Sequence, residues 1–270
     1  MVLKSGDIVK KPIMYILLAL VVLLSGCVSK VNPVDPSDII VNVSPIEMKE
    51  FQEKEISVSV LNNATLPIDS VSVNSFEPFT IISGGNLNIP ARTDQPSGVL
   101  LSAKIQAPGF KDVADTTTLT VSYNSGKDSK GNLITKTKSI PVKTIVLPDV
   151  KLQFVGFVKD IKSITDAEVT TWEARAGDNI TITFSIKNDG KSTIDENVLK
   201  VVADVDNKRI GTNSSLIIGN AMAKSGTSNT LPLQLQVLKN APNGETYVFV
   251  TLMMGDKVID SQTIKLKVKL

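Results

Sequence analysis

Glu55–Asp69 reads EISVSVLNNATLPID, and Thr181–Asp195 reads TITFSIKNDGKSTID. The two segments align without a gap at a constant offset of 126 residues, and each leads from alternating apolar positions into an asparagine-containing turn. The pairs that match are Ile56 with Ile182, Val58 with Phe184, Ser59 with Ser185, Val60 with Ile186, Asn62 with Asn188, Ile68 with Ile194 and Asp69 with Asp195. Such a repeat indicates two copies of one structural unit. The alternative is chance similarity between two β-rich segments.

The same alternation of apolar and polar residues recurs outside the repeat. At the C-terminus, apolar residues at 264, 266, 268 and 270 alternate with lysines at 265, 267 and 269. Turn-forming clusters at 83–86, 124–126 and 242–244 separate such stretches. A period of two predicts strands with one buried face, and short strands with frequent turns are typical of β-sandwiches. We therefore predict an all-β chain of antiparallel strands.

The repeat also predicts how the chain divides into domains. Ala107-Pro108 has a counterpart in Ala241-Pro242, and each pair precedes a predicted strand, a hairpin and a final strand. We place the boundary near Leu147-Pro148-Asp149, which gives one sandwich over residues 39–148 and a second over residues 149–270.

The N-terminus has the pattern of a secretory signal. Three lysines at 4, 10 and 11 precede the apolar run Pro12–Leu24, and Ser25, Gly26 and Cys27 follow it. The run is short for a bilayer span, which takes about 20 residues. Leu24-Ser25-Gly26-Cys27 resembles the lipobox of prokaryotic lipoproteins. That resemblance implies cleavage between Gly26 and Cys27, removal of residues 1–26, and a diacylglyceryl group on the Cys27 thiol.

Three alternatives to lipidation remain open. Cys27 could end an uncleaved anchor helix, cleavage could occur without lipidation, or the leader could be a misassigned start. Residues 27–38 follow with two prolines and no periodicity, which predicts an extended, flexible tether.

The repeated hairpin resembles the V-x-N-x-G hairpin of immunoglobulin-like modules in archaeal and bacterial surface proteins, with CARDB-type adhesion modules and archaeal S-layer-related proteins nearest. The fuller match is Ala176 to Gly190, whereas Ala64 replaces the glycine in the first copy. The resemblance implies immunoglobulin-like sandwiches at a prokaryotic, archaeal cell surface. It implies no particular ligand, because fold analogy does not carry function.

Composition narrows the functional classes. The chain has no histidine and one cysteine, and without residues 1–26 its 26 basic and 26 acidic side chains cancel. Histidine-based catalysis, a zinc site and an intrachain disulfide are therefore not expected, and nothing favours nucleic acid as a partner. Carboxylate pairs are the acid–base route left, but the glutamates of Glu47–Glu55 are typical of a solvated charged edge.

Several smaller motifs are interpreted structurally. Asp128–Asn132 and Asp204–Lys208 resemble calcium loops but place lysine at ligand positions, so we predict hairpin turns. Trp172 is predicted in the core of the second sandwich, the alternative being a lone platform for stacking against a sugar. Tyr247 is predicted to pack as a tyrosine corner at the start of its strand. The sequence contains four sequons, whose number is what chance would give. These candidate glycosylation sites are Asn42, Asn63, Asn179 and Asn213.

Together these features predict a non-enzymatic, extracytoplasmic protein held to membrane lipid through Cys27, without a cofactor. It would act as a structural, adhesion or scaffold component with a cell-envelope protein or glycan as partner. The main alternative is an accessory lipoprotein that captures a carbohydrate, a peptide or a partner subunit. A hydrolase using two carboxylates is a third hypothesis.

Overall fold

The computed structural model describes residues 33–158, 164–165, 169–228 and 231–269. The predicted signal segment, Gly26 and Cys27 lie outside the described residues. Nearly all of the described secondary structure is β, which confirms the predicted fold class, and the only helical turns there are the 3-10 segments Pro36–Asp38 and Phe110–Asp112. No helix in this part of the chain has the length and hydrophobicity to cross a membrane.

The described residues before 148 form nine strands. They are β1 (Ile39–Val43), β2 (Ile46–Lys49), β3 (Glu53–Asn62), β4 (Ile68–Ser75), β5 (Thr80–Gly84), β6 (Leu87–Ile89), β7 (Ser97–Gln106), β8 (Thr116–Lys127) and β9 (Leu133–Leu147). They form a four-stranded sheet in the order β1-β3-β7-β5 and a five-stranded sheet in the order β2-β9-β8-β4-β6. We call these the N-terminal sheet pair.

Nine more strands follow. They are β10 (Val150–Val158), β11 (Ile164–Thr165), β12 (Val169–Arg175), β13 (Asn179–Asn188), β14 (Leu199–Val205), β15 (Ser214–Ile217), β16 (Leu231–Gln236), β17 (Gly244–Met254) and β18 (Lys257–Lys269). Their sheets have the orders β10-β13-β16 and β11-β12-β18-β17-β14-β15 and are called the C-terminal sheet pair.

The two sheet pairs share a pattern of strand pairing. All ladders are antiparallel except two, in which β2 lies parallel to β9 and β12 lies parallel to β18. In both pairs the strand that carries the repeated sequence, β3 or β13, lies in the smaller sheet between two antiparallel neighbours. The repeated segments therefore occupy corresponding places.

Each sheet pair encloses its own cluster of buried side chains. One cluster is drawn from residues 34–146 and the other from residues 150–268. In β17 the buried residues are Thr246, Val248, Val250 and Leu252, and the residues between them point outward. Burial follows the predicted period of two because alternate side chains of a strand face opposite sides of its sheet.

Part of the segment predicted to be a tether belongs to the fold. Val34 is buried in the N-terminal cluster, and the Tyr123 hydroxyl donates a hydrogen bond of 3.3 Å to its carbonyl. Lys138 Nζ donates to the Pro36 carbonyl at 2.9 Å. Val34 lies between two prolines, and a single apolar residue has no periodicity from which its burial could be predicted.

Candidate functional site

A buried asparagine organises the turn that follows β3. The Asn62 side chain is fully buried, and its Nδ2 donates to the carbonyls of Leu66 at 2.8 Å and Pro90 at 3.0 Å. Its Oδ1 accepts the Ala64 amide N–H at 3.0 Å. One side chain thus satisfies three backbone groups that the irregular turn leaves without ladder partners.

The turn after β13 repeats this arrangement. Asn188 is also fully buried, and its Nδ2 donates to the carbonyls of Ser192 at 2.9 Å and Ala223 at 3.1 Å. Its Oδ1 accepts the Gly190 amide N–H at 3.0 Å. The predicted correspondence between Asn62 and Asn188 is confirmed at the level of individual hydrogen bonds.

The two turns differ in what covers them. Glu50, which follows β2, reaches from the N-terminal sheet pair onto the Asn188 turn, where its Oε1 accepts the amide N–H groups of Lys191 at 3.1 Å and Ser192 at 3.4 Å. Only 5% of Glu50 is exposed, and Oε2 has no hydrogen-bond partner among the described residues. We call this contact the Glu50 clamp. The prediction that the glutamates of Glu47–Glu55 form a solvated edge is wrong for Glu50.

Gly190 makes the clamp possible. A Cβ atom built on Gly190 would lie 1.9 Å from Glu50 Oε1 and 3.0 Å from Asn188 Oδ1. The first distance is well inside van der Waals contact, so a larger residue at 190 would displace the carboxylate. In the turn of the first copy, which no residue of the other sheet pair clamps, Ala64 occupies the matching position.

The residue after Glu50 carries backbone strain. Phe51 has φ 58°, a left-handed conformation that costs an ordinary residue about 1–3 kcal/mol. Its amide donates to the Ala107 carbonyl at 3.1 Å, and Lys191 Nζ lies 5.0 Å from the centre of its ring. The turn is therefore held from both sheet pairs, and this support keeps Glu50 directed at the two amides that donate to it.

Ion pairs and one shared aromatic residue surround the clamp. Lys111 binds Asp195 at 2.7 Å, and Phe110 packs against both buried clusters. Two further pairs join the sheet pairs, namely Lys49 with Asp149 at 2.8 Å and Lys257 with Glu47 at 3.3 Å. All of these charged groups are partly exposed, so the pairs orient the junction more than they stabilise it.

Beside the clamp, Asp189 is held ionised by two lysines. Hydrogen bonds from Lys187 at 2.6 Å and Lys151 at 2.9 Å lower the pKa of the Asp189 carboxyl below its ordinary value, the Lys187 bond being the larger cause. The Asp189 amide also donates to the Asp149 carbonyl at 2.9 Å. Asp189 therefore links the repeated turn to the chain that connects the two sheet pairs.

A second feature lies on the open face of β17. Tyr247 and Phe249 are 44% and 40% exposed, and their rings lie 6.5 Å apart with 26° between their planes. We call them the aromatic pair. The prediction that Tyr247 packs as a structural corner is wrong, because its side chain points away from the core and contacts the next outward residue of its strand.

The other predicted aromatic position is confirmed, and one was missed. Trp172 is buried in the C-terminal cluster as predicted. Tyr123 is buried in the N-terminal cluster, where burial first, and then Asp35 and Asp38, raise the pKa of its hydroxyl to about 12. Its position among the buried, alternating residues of β8 was the available sequence signal.

The first calcium-like loop is a hairpin turn, as predicted, whereas the second begins inside β14 and continues into the connection to β15. Asp128 Oδ1 accepts the amide N–H groups of Lys130 and Asn132, and the Asn132 side chain donates to Oδ2 at 3.0 Å. This side-chain bond is the first cause, and the Asn132 amide the second, of the lowered pKa of Asp128. Asp204 forms an ion pair with Lys208. Within the described residues, no cluster of three or more histidine, cysteine or acidic side chains could hold a metal ion.

The sequon asparagines do not converge on one site. Asn42 lies exposed on β1, and Asn179 is exposed where β13 begins. Asn63 is half-buried, and its side chain accepts a hydrogen bond from Arg92. The side-chain Oδ1 of Asn213 accepts from the Val205 amide and from Lys208 Nζ. The structure places all four outside the buried clusters.

No family model and no curated protein matches the chain. Among solved structures, it is similar to a red sea bream transglutaminase at 10% identity and a TM-score of 0.39, over 86% of this chain and 31% of that protein. It is also similar to a Porphyromonas gingivalis protein of unknown function and to the YadV chaperone, both at 12% identity and a TM-score of 0.26. These two matches cover 86% and 85% of this chain and the whole of the other. The chain thus spans about a third of the length of the transglutaminase.

Proposed function

We propose that the protein is a non-enzymatic, lipid-anchored scaffold on the outside of a prokaryotic, archaeal cell membrane, built from two tandem immunoglobulin-like modules. Cys27 would fix one end to the bilayer through two acyl chains, enough for lasting attachment. The two modules would then hold their exposed surfaces at a set distance and orientation from the membrane.

The Glu50 clamp is the observation that supports this proposal best. A spacer transmits position only if its joint is fixed, whereas linked domains with small contacts usually move relative to one another. Here a buried carboxylate binds two amides across the junction, and Phe110 contacts both clusters. The 3.1 Å bond from Lys191 has the better geometry, and the 3.4 Å contact from Ser192 is longer than an ordinary N–H···O bond. Such a clamp would restrict the angle between the modules.

The anchor and the joint need separate experiments. For the anchor, we would measure the mass of the N-terminal peptide from detergent-extracted membranes, and compare membrane recovery of the wild type with Cys27→Ser. We expect a peptide that begins at Cys27 and carries a diacylglyceryl group, and release of the variant. An intact leader or an unmodified Cys27 would contradict the lipid anchor.

For the joint, spin labels would be placed through Thr118→Cys and Lys200→Cys in a Cys27→Ser background, because both residues are exposed and lie on different sheet pairs. We expect a narrow distance distribution that broadens in Glu50→Ala and stays narrow in Glu50→Gln, which keeps the acceptor oxygen. Glu196→Ala, at an exposed glutamate, is the matched control. A broad distribution in the parent protein would contradict a fixed joint.

The aromatic pair favours a second candidate, an accessory protein that captures a ligand at the cell surface. Large aromatic side chains are costly to expose, and they are enriched where proteins bind partners. Only 12 of the 270 residues are aromatic, and two of them stack on an open sheet face. The two candidates are compatible, since a fixed scaffold would present such a face in a constant direction.

A further inference from the structure

We propose that the aromatic pair is a platform for a neutral polysaccharide, whose pyranose rings stack on Tyr247 and Phe249. This inference rests on the second candidate function, the capture of a ligand, and names the ligand's chemical class. It is independent of whether Cys27 is lipidated.

The shape of the pair suits a flat ligand. Tyr247 and Phe249 are successive outward residues of β17, and their exposed rings lie 6.5 Å apart with 26° between their planes. The pair thus places two exposed ring surfaces, called the plate below, on an open sheet face and not in a groove between facing walls. A pyranose ring presents a flat face of C–H groups, which packs favourably against the electron-rich face of an aromatic ring.

The border of the plate supplies hydrogen-bonding groups. On β18, Lys265 lies opposite Tyr247 and Thr263 lies opposite Phe249, while Asp204 of β14 lies opposite Phe249 on the other side. An ammonium, a hydroxyl and a carboxylate together match the donors and acceptors of sugar hydroxyl groups. Stacking would provide most of the affinity, and these groups would set the orientation of the ligand.

The charges on this border are already neutralised within the protein. Lys265 forms an ion pair with Glu245 at 2.6 Å, and Asp204 forms an ion pair with Lys208. The Glu245 bond is also the main reason that the pKa of Lys265 is raised. A charged ligand would therefore meet no strong opposite field, whereas a neutral, polyhydroxylated ligand needs none.

The rings of the aromatic pair by themselves expose too little area for a stable protein interface, although Ile217 and Val258 are exposed in the same sheet. A Phe or Tyr side chain can bury about 150–250 Å², so the pair exposes roughly 200 Å² of ring surface in all. A stable protein–protein interface needs about 800 Å² on each partner. Thr251 and Thr263 border the rings, so polar residues limit the plate. The area fits one or two sugar units.

The test is retention of the intact mature chain on polysaccharides. Cellulose, chitin, mannan and a β-1,3-glucan would be used as probes in pull-downs, followed by affinity electrophoresis with the soluble forms. We expect retention on at least one of them, and a rise in Kd of about tenfold or more when Tyr247→Ala and Phe249→Ala are combined. Tyr247→Phe keeps the ring and is expected to keep most of the affinity.

Leu100→Ala is the matched control, because Leu100 is 65% exposed on the open face of β7, in the other sheet pair. The double variant removes exposed side chains, so its unfolding midpoint should stay near that of the parent and show that lost binding is not lost folding. Retention on none of the probes, or equal retention of the parent and the double variant, would overturn the proposal. So would self-association of the parent in sedimentation velocity that the double variant abolishes, since it would identify a second copy as the occupant.

Discussion

The turns at Asn62 and Asn188 have the same hydrogen bonds inside and different surroundings outside. Each asparagine binds two carbonyls and one amide two residues ahead. Among the described residues, only the second turn accepts a contact from the other sheet pair, through Glu50. The inner bonds are what the turn needs to form, so they persist in both copies. The residue two positions after the asparagine is set by the neighbour, which is why it is Ala64 in one turn and Gly190 in the other.

The open faces of β8 and β17 differ in the same way. The outward residues of β8 are Thr116, Thr118, Thr120 and Ser122, whereas those of β17 include Tyr247 and Phe249. The buried residues of β17 are mostly aliphatic, and those of β8 are Thr117, Leu119, Val121, Tyr123 and Ser125. Burial therefore restricts which residues occupy the inward face of each strand. The outward face is free to differ between the sheet pairs, and in β17 it carries the aromatic pair.

The largest effect is expected from removing the asparagine side chain that the two turns have in common. Asn62→Ala or Asn188→Ala would leave two carbonyls and one amide without their partner in a buried turn. We expect each change to lower the free energy of unfolding by about 2–4 kcal/mol, measured by urea denaturation. Asn42→Ala, at an exposed asparagine of β1, should stay within about 0.5 kcal/mol. A loss below about 1 kcal/mol in either turn would show that its hydrogen bonds are replaced by water.

The second prediction is that alkaline pH lowers the stability of the N-terminal sheet pair through its buried tyrosine, Tyr123. The pKa of Tyr123 is raised from 10.0 to about 12 in the folded chain. Its stabilising contribution is fully present below pH 10 and is lost as the pH rises towards 12, because the unfolded chain releases the proton first. The difference amounts to roughly 2 kcal/mol at pH 12, where half of the folded chains have released the proton.

This prediction is checked by urea denaturation between pH 9 and pH 12 in the wild type and in Tyr123→Phe. The wild type should lose stability relative to the variant over this range, since both contain the same lysines and the same remaining tyrosines. Parallel curves for the two proteins would mean that the Tyr123 hydroxyl is not protected by burial.

The third prediction exchanges the residues that distinguish the turns. Gly190→Ala places a methyl group against Glu50 Oε1, which must move, and we expect a loss of about 1–3 kcal/mol and a wider distribution of spin-label distances. Ala64→Gly in the turn of the first copy should cost about 0.5–1 kcal/mol through added freedom of the unfolded chain. Adding Glu50→Ala to Gly190→Ala should recover part of the loss, because the clash is then removed. Equal effects of the two exchanges would contradict a role of the neighbour in choosing Gly190.

The strands and the turn asparagines could be predicted because their causes are local. Alternation reports which face of a strand is buried, and a repeat doubles the signal of a turn. Glu50 could not be identified this way, since its acceptor role depends on amides that lie about 140 residues further along the chain. A glutamate within Glu47–Glu55 has the composition of a solvated edge, and only the sheet positions of both partners reveal its burial.

The sequence also contains a signal for the aromatic pair. Tyr247-Val248-Phe249-Val250 is apolar at both phases of the alternation, and Val248 and Val250 occupy the buried phase. Aromatic residues in the outward phase of an otherwise regular strand are therefore candidates for a binding surface. The analogy with a tyrosine corner predicts a structural role for Tyr247, whereas Tyr123 is the tyrosine that is buried.

The smallest expected effect concerns the ion pairs that join the sheet pairs around the clamp. Lys111→Ala removes the 2.7 Å contact with Asp195, but the two charged groups are 39% and 64% exposed, so water and salt screen their attraction. We expect a change of about 0.5 kcal/mol or less in the free energy of unfolding, vanishing at high salt, and no change in the spin-label distances. Asp195→Ala is the matched change on the other partner and should behave alike. If Lys111→Ala broadened the spin-label distance distribution as much as Glu50→Ala, the surface charges and not the buried carboxylate would fix the joint. The difference between the two asparagine turns would then need another cause.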